Sequence, residues 1–492
     1  MDVENREVCY EIFKSKDARY DGRFFIGIKS TGIYCRPVCK ARLPRPENCV
    51  YFRTAAEAEK AGFRPCLICR PELAPGTPMQ DASSELAAKA AYFIRDNCDS
   101  GLSIAELSGG LGCSERHLRR VFKEEYHVTP VEYLQTCRLL LAKQLLTETR
   151  LSVIDAAMTA GFGSVRRMNE LFRKRYGITP MSLRKKTAAA GRGDTVSVLL
   201  GYRAPYAWEQ ILDFLKPRAI PHVERVSAGS YERAVRLVSR GGKTCTGTIC
   251  VTHAENEKAL KVEMNESLVP VMPQVISKVR QMFDLDCDPA VIGSRLKSMA
   301  KYLPQGFIEG IRIPGCFDAF EMVCRAVIGQ QITVKAANTL LGRVAEAYGT
   351  AVETNADGPD RTFPEAGEII AMGDEITENF GRLGVIASRS GAIYSAALAL
   401  AEKDGLRLNR AADPETEIKR LMSIRGIGSW TAQYIVMRTM GYTDAFMETD
   451  AGTKGTLPDM SGRERVELSE AWRPWRSYAM MELWNGYGKK PT

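Results

Sequence analysis

The chain has 492 residues, 45% of them hydrophobic and 26% charged. At roughly 100–200 residues per domain this is three or four domains, and the composition excludes a mainly disordered or collagen-like chain. The net charge of +9 sits in the first 190 residues, where 31 Lys+Arg face 22 Asp+Glu; 37 of each follow. A basic first part points to an anionic partner, nucleic acid before membrane. No apolar run reaches the roughly 18–20 residues that cross a bilayer. The polar start MDVENREVCYEIFKSKDARY has no signal-peptide pattern, so a cytoplasmic location is expected.

The chain carries 14 cysteines, and four of them form a pattern: Cys35-x3-Cys39, then Cys66-x2-Cys69 after a gap. In a reducing compartment such spacing points to metal or catalysis rather than disulfides. Two short pairs across a loop supply four thiolates for one tetrahedral zinc. The others show no such pairing. No cysteine follows Cys324, so a four-Cys iron–sulfur cluster near the C-terminus is excluded. β-rich patches and turn residues around the pairs fit a small zinc-stapled α/β module.

The text TGIYCRPVCKAR followed by GFRPCLICRP resembles the N-terminal domain of the Ada-type methylation sensors, over about residues 1–78. The resemblance implies that Cys35 is both zinc ligand and irreversible methyl acceptor from a DNA methylphosphotriester. Zinc keeps a thiolate deprotonated at neutral pH, and the thiolate is the nucleophile. Four thiolates on a dication leave a net charge of about −2, which repels phosphate. Methylating one of them removes a negative charge, so DNA binding is expected to tighten.

The segment DASSELAAKAAYFIRDN reads as a helix by its periodicity and its Ser/Asp start. An internal repeat follows. Residues 102–134 match 151–183, each with a helix, a Gly-containing turn, an Arg-rich second helix and a closing aromatic. This is a duplicated helix-turn-helix. It resembles the AraC-type DNA-binding domain, with recognition helices at about 114–122 and 164–174. Candidate DNA contacts are Arg116, His117 and Arg120 in the first copy and Arg166, Arg167 and Asn169 in the second. A linking helix, LQTCRLLLAKQLL, would set the readers in successive major grooves, about 34 Å apart. Gly109-Gly110 sits where a helix usually continues, which predicts a looser first reader.

A small, polar stretch at 187–198 reads as a linker. Alternating runs then predict an antiparallel sheet: VSVLLGYRAPY, ERAVRLV, TCTGTICVTH and ALKVEM. From about 290 onward the chain reads as helical. Gly426-Ile427-Gly428 between two apolar helices predicts a helix–hairpin–helix, whose backbone N–H groups can hold a DNA phosphate. Asp450 follows, 22 residues beyond Gly428.

These features, with LGYRAPYAWEQILDFL, IPGCFDAFEMVCRAVIGQQIT and WRPWRSYAMMELW, resemble the helix–hairpin–helix DNA glycosylases. The closest likeness is to the AlkA-type 3-methyladenine DNA glycosylases II, over about 195–492. The resemblance implies Asp450 as the catalytic carboxylate and Trp430, Tyr434 and Trp484 as the base pocket. It places the residue inserted into the DNA stack at Gln331, with Ile332 as second candidate. Glu448 stands where that family often has Pro, which bears on the rigidity of the loop. A cationic alkylated purine is already a good leaving group, so one carboxylate suffices to stabilise the oxocarbenium-like sugar and direct water. The base must be flipped out, and electron-rich rings favour it by stacking and cation–π attraction. Related lyases carry an amine at the position of Trp430; with Trp there the enzyme is expected to be monofunctional and to leave an abasic site.

The resulting reading is a multidomain chain. A zinc-stapled α/β domain (1–78) precedes an all-α double helix-turn-helix domain (82–187) and a linker (188–195). An α+β glycosylase follows, with a sheet layer (196–300) and a helix–hairpin–helix bundle (301–492). Its expected partners are double-stranded DNA and RNA polymerase, its cofactor one zinc with no iron–sulfur cluster, and its place the bacterial nucleoid. No Pro-Cys-His-Arg segment is present, so repair of O6-methylguanine is not expected. The rival is a non-enzymatic DNA-binding regulator with an inactive glycosylase-like domain.

Overall fold

A computed structural model describes all residues except 1, 2, 4, 77–83, 185–194, 355–357 and 488–492. The expected linker at 188–195 therefore lies largely outside the described residues, as does the expected boundary between 78 and 82.

The first module is a four-stranded sheet with two helices, α1 (Arg6–Ser15) and α2 (Ala55–Lys60). Its strands are β1 (Phe25–Ile28), β2 (Ile33–Cys35), β3 (Cys49–Phe52) and β4 (Arg64–Pro65), in the order β3-β1-β2-β4. Only the β2–β4 pair is parallel, and it sets Ile33 opposite Arg64 and Tyr34 opposite Pro65. Asn5 and Thr54 cap the two helices with their side chains.

Seven helices follow: α3 (Glu85–Asp96), α4 (Ile104–Gly110), α5 (Glu115–Tyr126), α6 (Pro130–Glu148), α7 (Val153–Thr159), α8 (Val165–Tyr176) and α9 (Pro180–Arg184). The repeat is visible in its caps. Ser103 and Ser152 cap the first helices of the two copies, and Ser114 and Ser164 the second. Both second helices end in the left-handed region, at His127 and Gly177. The expected recognition helices are present but run further, to Tyr126 and Tyr176. α4 and α7 both have seven residues, and Gly109-Gly110 falls in the last turn of α4, where the helix ends in both copies.

The five-stranded sheet is antiparallel throughout, in the order β5-β9-β8-β7-β6. Its strands are β5 (Thr195–Gly201), β6 (Glu224–Ser227), β7 (Ser230–Val238), β8 (Thr244–Ala254) and β9 (Ala259–Asn265). The short β6 was not expected, and β5 stops at Gly201 rather than running through to Tyr206. Beyond it Arg203 is fully buried, with Nη1 donating to the Asp286 carbonyl at 2.8 Å.

Helices begin earlier than position 290. They are α10 (Trp208–Leu215), α11 (Met272–Met282), α12 (Pro289–Leu296), α13 (Ala319–Ile328) and α14 (Val334–Tyr348). Then come α15 (Ala366–Ala371), α16 (Ile376–Arg382), α17 (Ala387–Ala401), α18 (Pro414–Met422) and α19 (Ser429–Met440). The chain closes with α20 (Ala451–Thr456), α21 (Gly462–Ser469) and α22 (Arg476–Gly486).

The cores do not follow a one-domain-one-core pattern. One buried cluster joins Leu145, Met168 and Phe172 of the second reader to Val198 and Leu260 of the sheet, and on to Trp472 and Tyr478. A second fills the bundle around α13, α17 and α19. The second reader and the glycosylase sheet thus share one buried cluster, while the thiol module keeps clusters of its own. Hydrophobic burial is non-directional, and the second reader and the sheet bury their apolar faces against each other.

Candidate metal centre and candidate active-site cleft

Strand β2 delivers Cys35 and the turn after it Cys39; Cys66 follows β4 and Cys69 the next turn. The four Sγ atoms lie within 4.8 Å of one another. A tetrahedron with Zn–S bonds of 2.3 Å has S–S edges of about 3.8 Å, so the donor set and its spacing fit zinc. The Arg36 amide donates to Cys69 Sγ at 3.3 Å and the Ile68 amide to Cys66 Sγ at 3.4 Å. Such bonds favour thiolate sulfur. Arg36 also donates to the Cys69 carbonyl at 3.0 Å and is paired with Asp21. Cys35 is 1% exposed, whereas Cys69 is only half-buried.

On the reader helices, Arg116, His117, Arg120, Arg166 and Arg167 are exposed and Asn169 is half-buried. Arg120 pairs with Glu124 at 3.0 Å and Arg166 with Glu170 at 3.1 Å, each one turn along its own helix. Exposed i,i+4 pairs are worth only about 0.3–0.5 kcal/mol, so both guanidiniums can leave them for DNA.

Acidic clamps fix the thiol module onto the reader. Glu59 of α2, 2% exposed, accepts from Tyr34 Oη at 3.1 Å and Tyr176 Oη at 2.9 Å on one oxygen. Its other oxygen accepts from Thr136 Oγ1 of α6 at 2.9 Å. Burial pushes the Glu59 carboxyl up to about 7, although these hydroxyls oppose the rise. Glu72 pairs with the buried Lys143 of α6. None of these contacts was read from the sequence: Glu59 looks there like any acid on a short helix.

The bundle opens as a cleft of about 1160 Å³. Gly426 of the hairpin has φ 94°, a conformation that glycine adopts without strain, and Gly428 caps α19. One turn of α19 separates Trp430 from Tyr434, and their rings stack with centroids 5.1 Å apart. Trp484 of α22 meets Tyr434 edge-on at 6.1 Å. All three expected pocket aromatics thus line one cleft.

Asp450 stands between the two indoles. Its Oδ1 accepts from Trp430 Nε1 at 3.1 Å, and its Oδ2 from Trp484 Nε1 at 2.7 Å. It also caps α20, accepting from the Gly452 amide at 2.8 Å and the Thr453 amide at 3.3 Å. A Cβ on Gly452 would sit 2.6 Å from Trp484 Cδ1, so only glycine leaves room for the indole there.

The sequence reading missed the floor of the cleft. Phe214 of α10 stacks on Trp484 at 5.9 Å, with the Arg218 guanidinium 3.9 Å above its ring. Arg438, one turn after Tyr434, donates to Tyr434 Oη at 2.6 Å. Burial pushes the Tyr434 phenol up, but Arg438 and then Arg218 outweigh it and hold the phenol below its ordinary range. The α19 spacing 430, 434, 438 was the available signal for Arg438. Phe214 comes from more than 200 residues away and had none.

Gln331 is exposed on the cleft rim in the left-handed region, φ 56°, with the half-buried Ile332 beside it. Gln330 braces this loop, donating to the Gly426 carbonyl at 2.9 Å and Thr431 Oγ1 at 3.0 Å. The loop with Glu448 is held without a proline. The Phe446 amide donates to Gln433 Oε1 at 3.0 Å and the Ala445 amide to Ser477 Oγ at 2.9 Å. Asp444, in the loop before Asp450, is buried and paired with Arg473 and Arg476. It is a structural residue.

Three family descriptions match the chain: the metal binding domain of Ada over 8–72, a helix-turn-helix domain over 107–186 and the AlkA N-terminal domain over 197–318. Among relatives, the Mycobacterium tuberculosis protein named "Probable bifunctional transcriptional activator/DNA repair enzyme AlkA" is 33% identical over 97% of this chain and 96% of its own length. The Escherichia coli DNA-3-methyladenine glycosylase 2 is 31% identical over 59% of this chain and 98% of its own. The Bacillus subtilis bifunctional transcriptional activator/DNA repair enzyme AdaA is 35% identical over 35% of this chain and 79% of its own.

Proposed function

The chain belongs to the family of bifunctional transcriptional activators and DNA repair enzymes of the AlkA type, and from that premise we propose the roles of its residues. Asp450 is the catalytic carboxylate of a monofunctional glycosylase that releases alkylated bases such as 3-methyladenine from DNA. The observation that carries this reading is Asp450 held by two indole N–H groups in a cleft walled by those same rings. A carboxylate fixed in this way meets the developing sugar cation without reorganising. Trp430 and Tyr434 stack on the flipped base. Gln331, backed by Ile332, fills the gap left in the duplex, and Gly426 and Gly428 hold a backbone phosphate.

In the first module, Cys35, Cys39, Cys66 and Cys69 hold one zinc, which keeps thiolate sulfur at neutral pH. Cys35 Sγ attacks the methyl carbon of a methylphosphotriester. The S–C bond forms, the C–O bond breaks, and the phosphodiester leaves as an anion. Loss of one thiolate charge weakens repulsion of DNA, and the readers then hold an operator from which RNA polymerase is recruited. The exposure of Cys69 favours a second assignment of the acceptor; mass spectrometry after reaction places the methyl on Cys35 if the first holds.

The test of the glycosylase is base release from alkylated duplex DNA. Asp450→Asn is expected to lose on the order of 100-fold or more in turnover, with DNA affinity nearly unchanged, because the charge it serves exists only in the transition state. A wild-type protein that releases no base would leave only the regulator.

A further inference from the structure

Between the thiol module and the second reader lies a groove of about 700 Å³ that no role above uses. Arg64 lines one lip, and Arg173, Lys174 and Arg175 at the end of α8 line the other. No Asp or Glu lines it. Among the described residues, none of these four cations has a carboxylate within 4 Å, although Arg175 also acts on the buried Glu59, whereas other arginines of the reader helices pair with glutamates. Gly32, Gly62 and Gly177 lie along its edges, and a Cβ on any of them would meet nothing within 4 Å. Leu67 and Ile178 add apolar surface.

The groove is also rigid. Its wall residue Tyr176 donates to Glu59, the same carboxylate that Tyr34 reaches from β2. The two lips are thus fixed to each other through one buried acid. Arg64 sits on β4, the strand paired with the one that ends in Cys35.

A run of cations without ion pairs, an open rim and scattered apolar surface match one ligand chemistry, a sugar–phosphate chain. We propose that this groove seats the DNA backbone, so that one strand is gripped at once by the thiol module and by the end of the second reader helix. This rests on the DNA-binding reading above and adds a constraint to it. The phosphates offered to Cys35 belong to the flank of the second reader's half-site, not the first's.

The experiment is a salt titration of binding to a random-sequence 30-base-pair duplex, followed by anisotropy, for the full chain. Each phosphate contact contributes about 0.9 to the slope of log K against log salt. Arg173→Ala with Lys174→Ala should lower the slope by up to about 1.8, Arg64→Ala by about 0.9, and Arg64→Lys should keep it. Zinc content and base release are measured on each variant to verify the fold. Unchanged slopes for both lips overturn the proposal. So does loss confined to the α8 variants, since the groove then is not a joint site. A wild type that shows no salt-dependent binding would instead sink the DNA reading as a whole.

Discussion

Replacing Glu59 with Gln tests the clamp between the thiol module and the reader. Glutamine keeps the shape and can still accept from Tyr34 and Tyr176 on its carbonyl oxygen, while its amide donates to Thr136. What it removes is a titration. Burial pushes Glu59 from 4.5 up to about 7, so the folded state holds a proton that the unfolded chain has released. The sign follows from linkage. A carboxyl raised on folding contributes its full stability below the unfolded value and loses it as pH rises through the folded one. The loss amounts to about 3 kcal/mol in all, with about 1 kcal/mol of it falling between pH 6 and pH 8. Urea unfolding, followed by zinc release to a chromogenic chelator at pH 6, 7 and 8, reads this as a difference between wild type and Glu59→Gln. Titration of the thiols is common to both proteins. So is that of Glu482, which burial pushes up to about 8. The wild type should weaken relative to the variant by about 1 kcal/mol across that window. Parallel curves would show that Glu59 is not protonated in the fold, and the account of the clamp would fail.

Cys39→Ala should abolish stoichiometric zinc by elemental analysis. It should also raise hydrogen exchange in α6 and α8, because Glu59 and Glu72 tie those helices to the thiol module. Asp444→Asn should cost on the order of 1 kcal/mol in thermal unfolding, since it weakens the pairing of Arg473 and Arg476, which keep Glu470 as their other partner; an unchanged midpoint would show that Glu470 alone holds them. Gly452→Ala should depress base release without unfolding the protein, because its Cβ displaces Trp484 from Asp450; full activity would show that this indole contact is not needed.

Features that depend on local spacing were legible in the sequence. The Cys pairs and the doubled helix-turn-helix each follow from neighbours within one turn or one loop, whereas Trp430 and Tyr434 came from the resemblance of the hairpin motif to the glycosylases. Asp450 was legible as an acid 22 residues beyond Gly428, and its expected role came from the same resemblance. What was hidden depends on long-range packing. Arg218 lines the cleft and Phe214 backs Trp484 from an element more than 200 residues earlier in the chain. Glu59 finds Tyr34, Thr136 and Tyr176 on three separate elements, and nothing in AAEAEK distinguishes it from an ordinary solvated acid. The ion pairs of Asp444 were hidden for the same reason, since its arginines lie 29 and 32 residues onward. The strand β6 was missed because its ERVS text barely alternates, and pairing with β7 makes it a strand.

The joining of the parts has an electrostatic side as well as an apolar one. Asp286 is fully enclosed, and burial alone would push its carboxyl up. Arg280 of α11, Arg95 of α3 and Arg410 outweigh that and hold it well below the usual carboxylate range. The Gly76 amide, just after the thiol module, donates to the same group at 3.0 Å. One carboxylate thus binds the reader, the segment leaving the thiol module and the glycosylase bundle. A nearby ion pair, Arg23 with Asp288, repeats the link. A flexible tether would let the repair and regulatory halves search for DNA independently, at an effective concentration set by its length. A shared apolar core and a common buried anion remove that freedom. The angle between the reader helices and the cleft of Asp450 is then a property of the fold, and a duplex that meets both must bend or run to suit it.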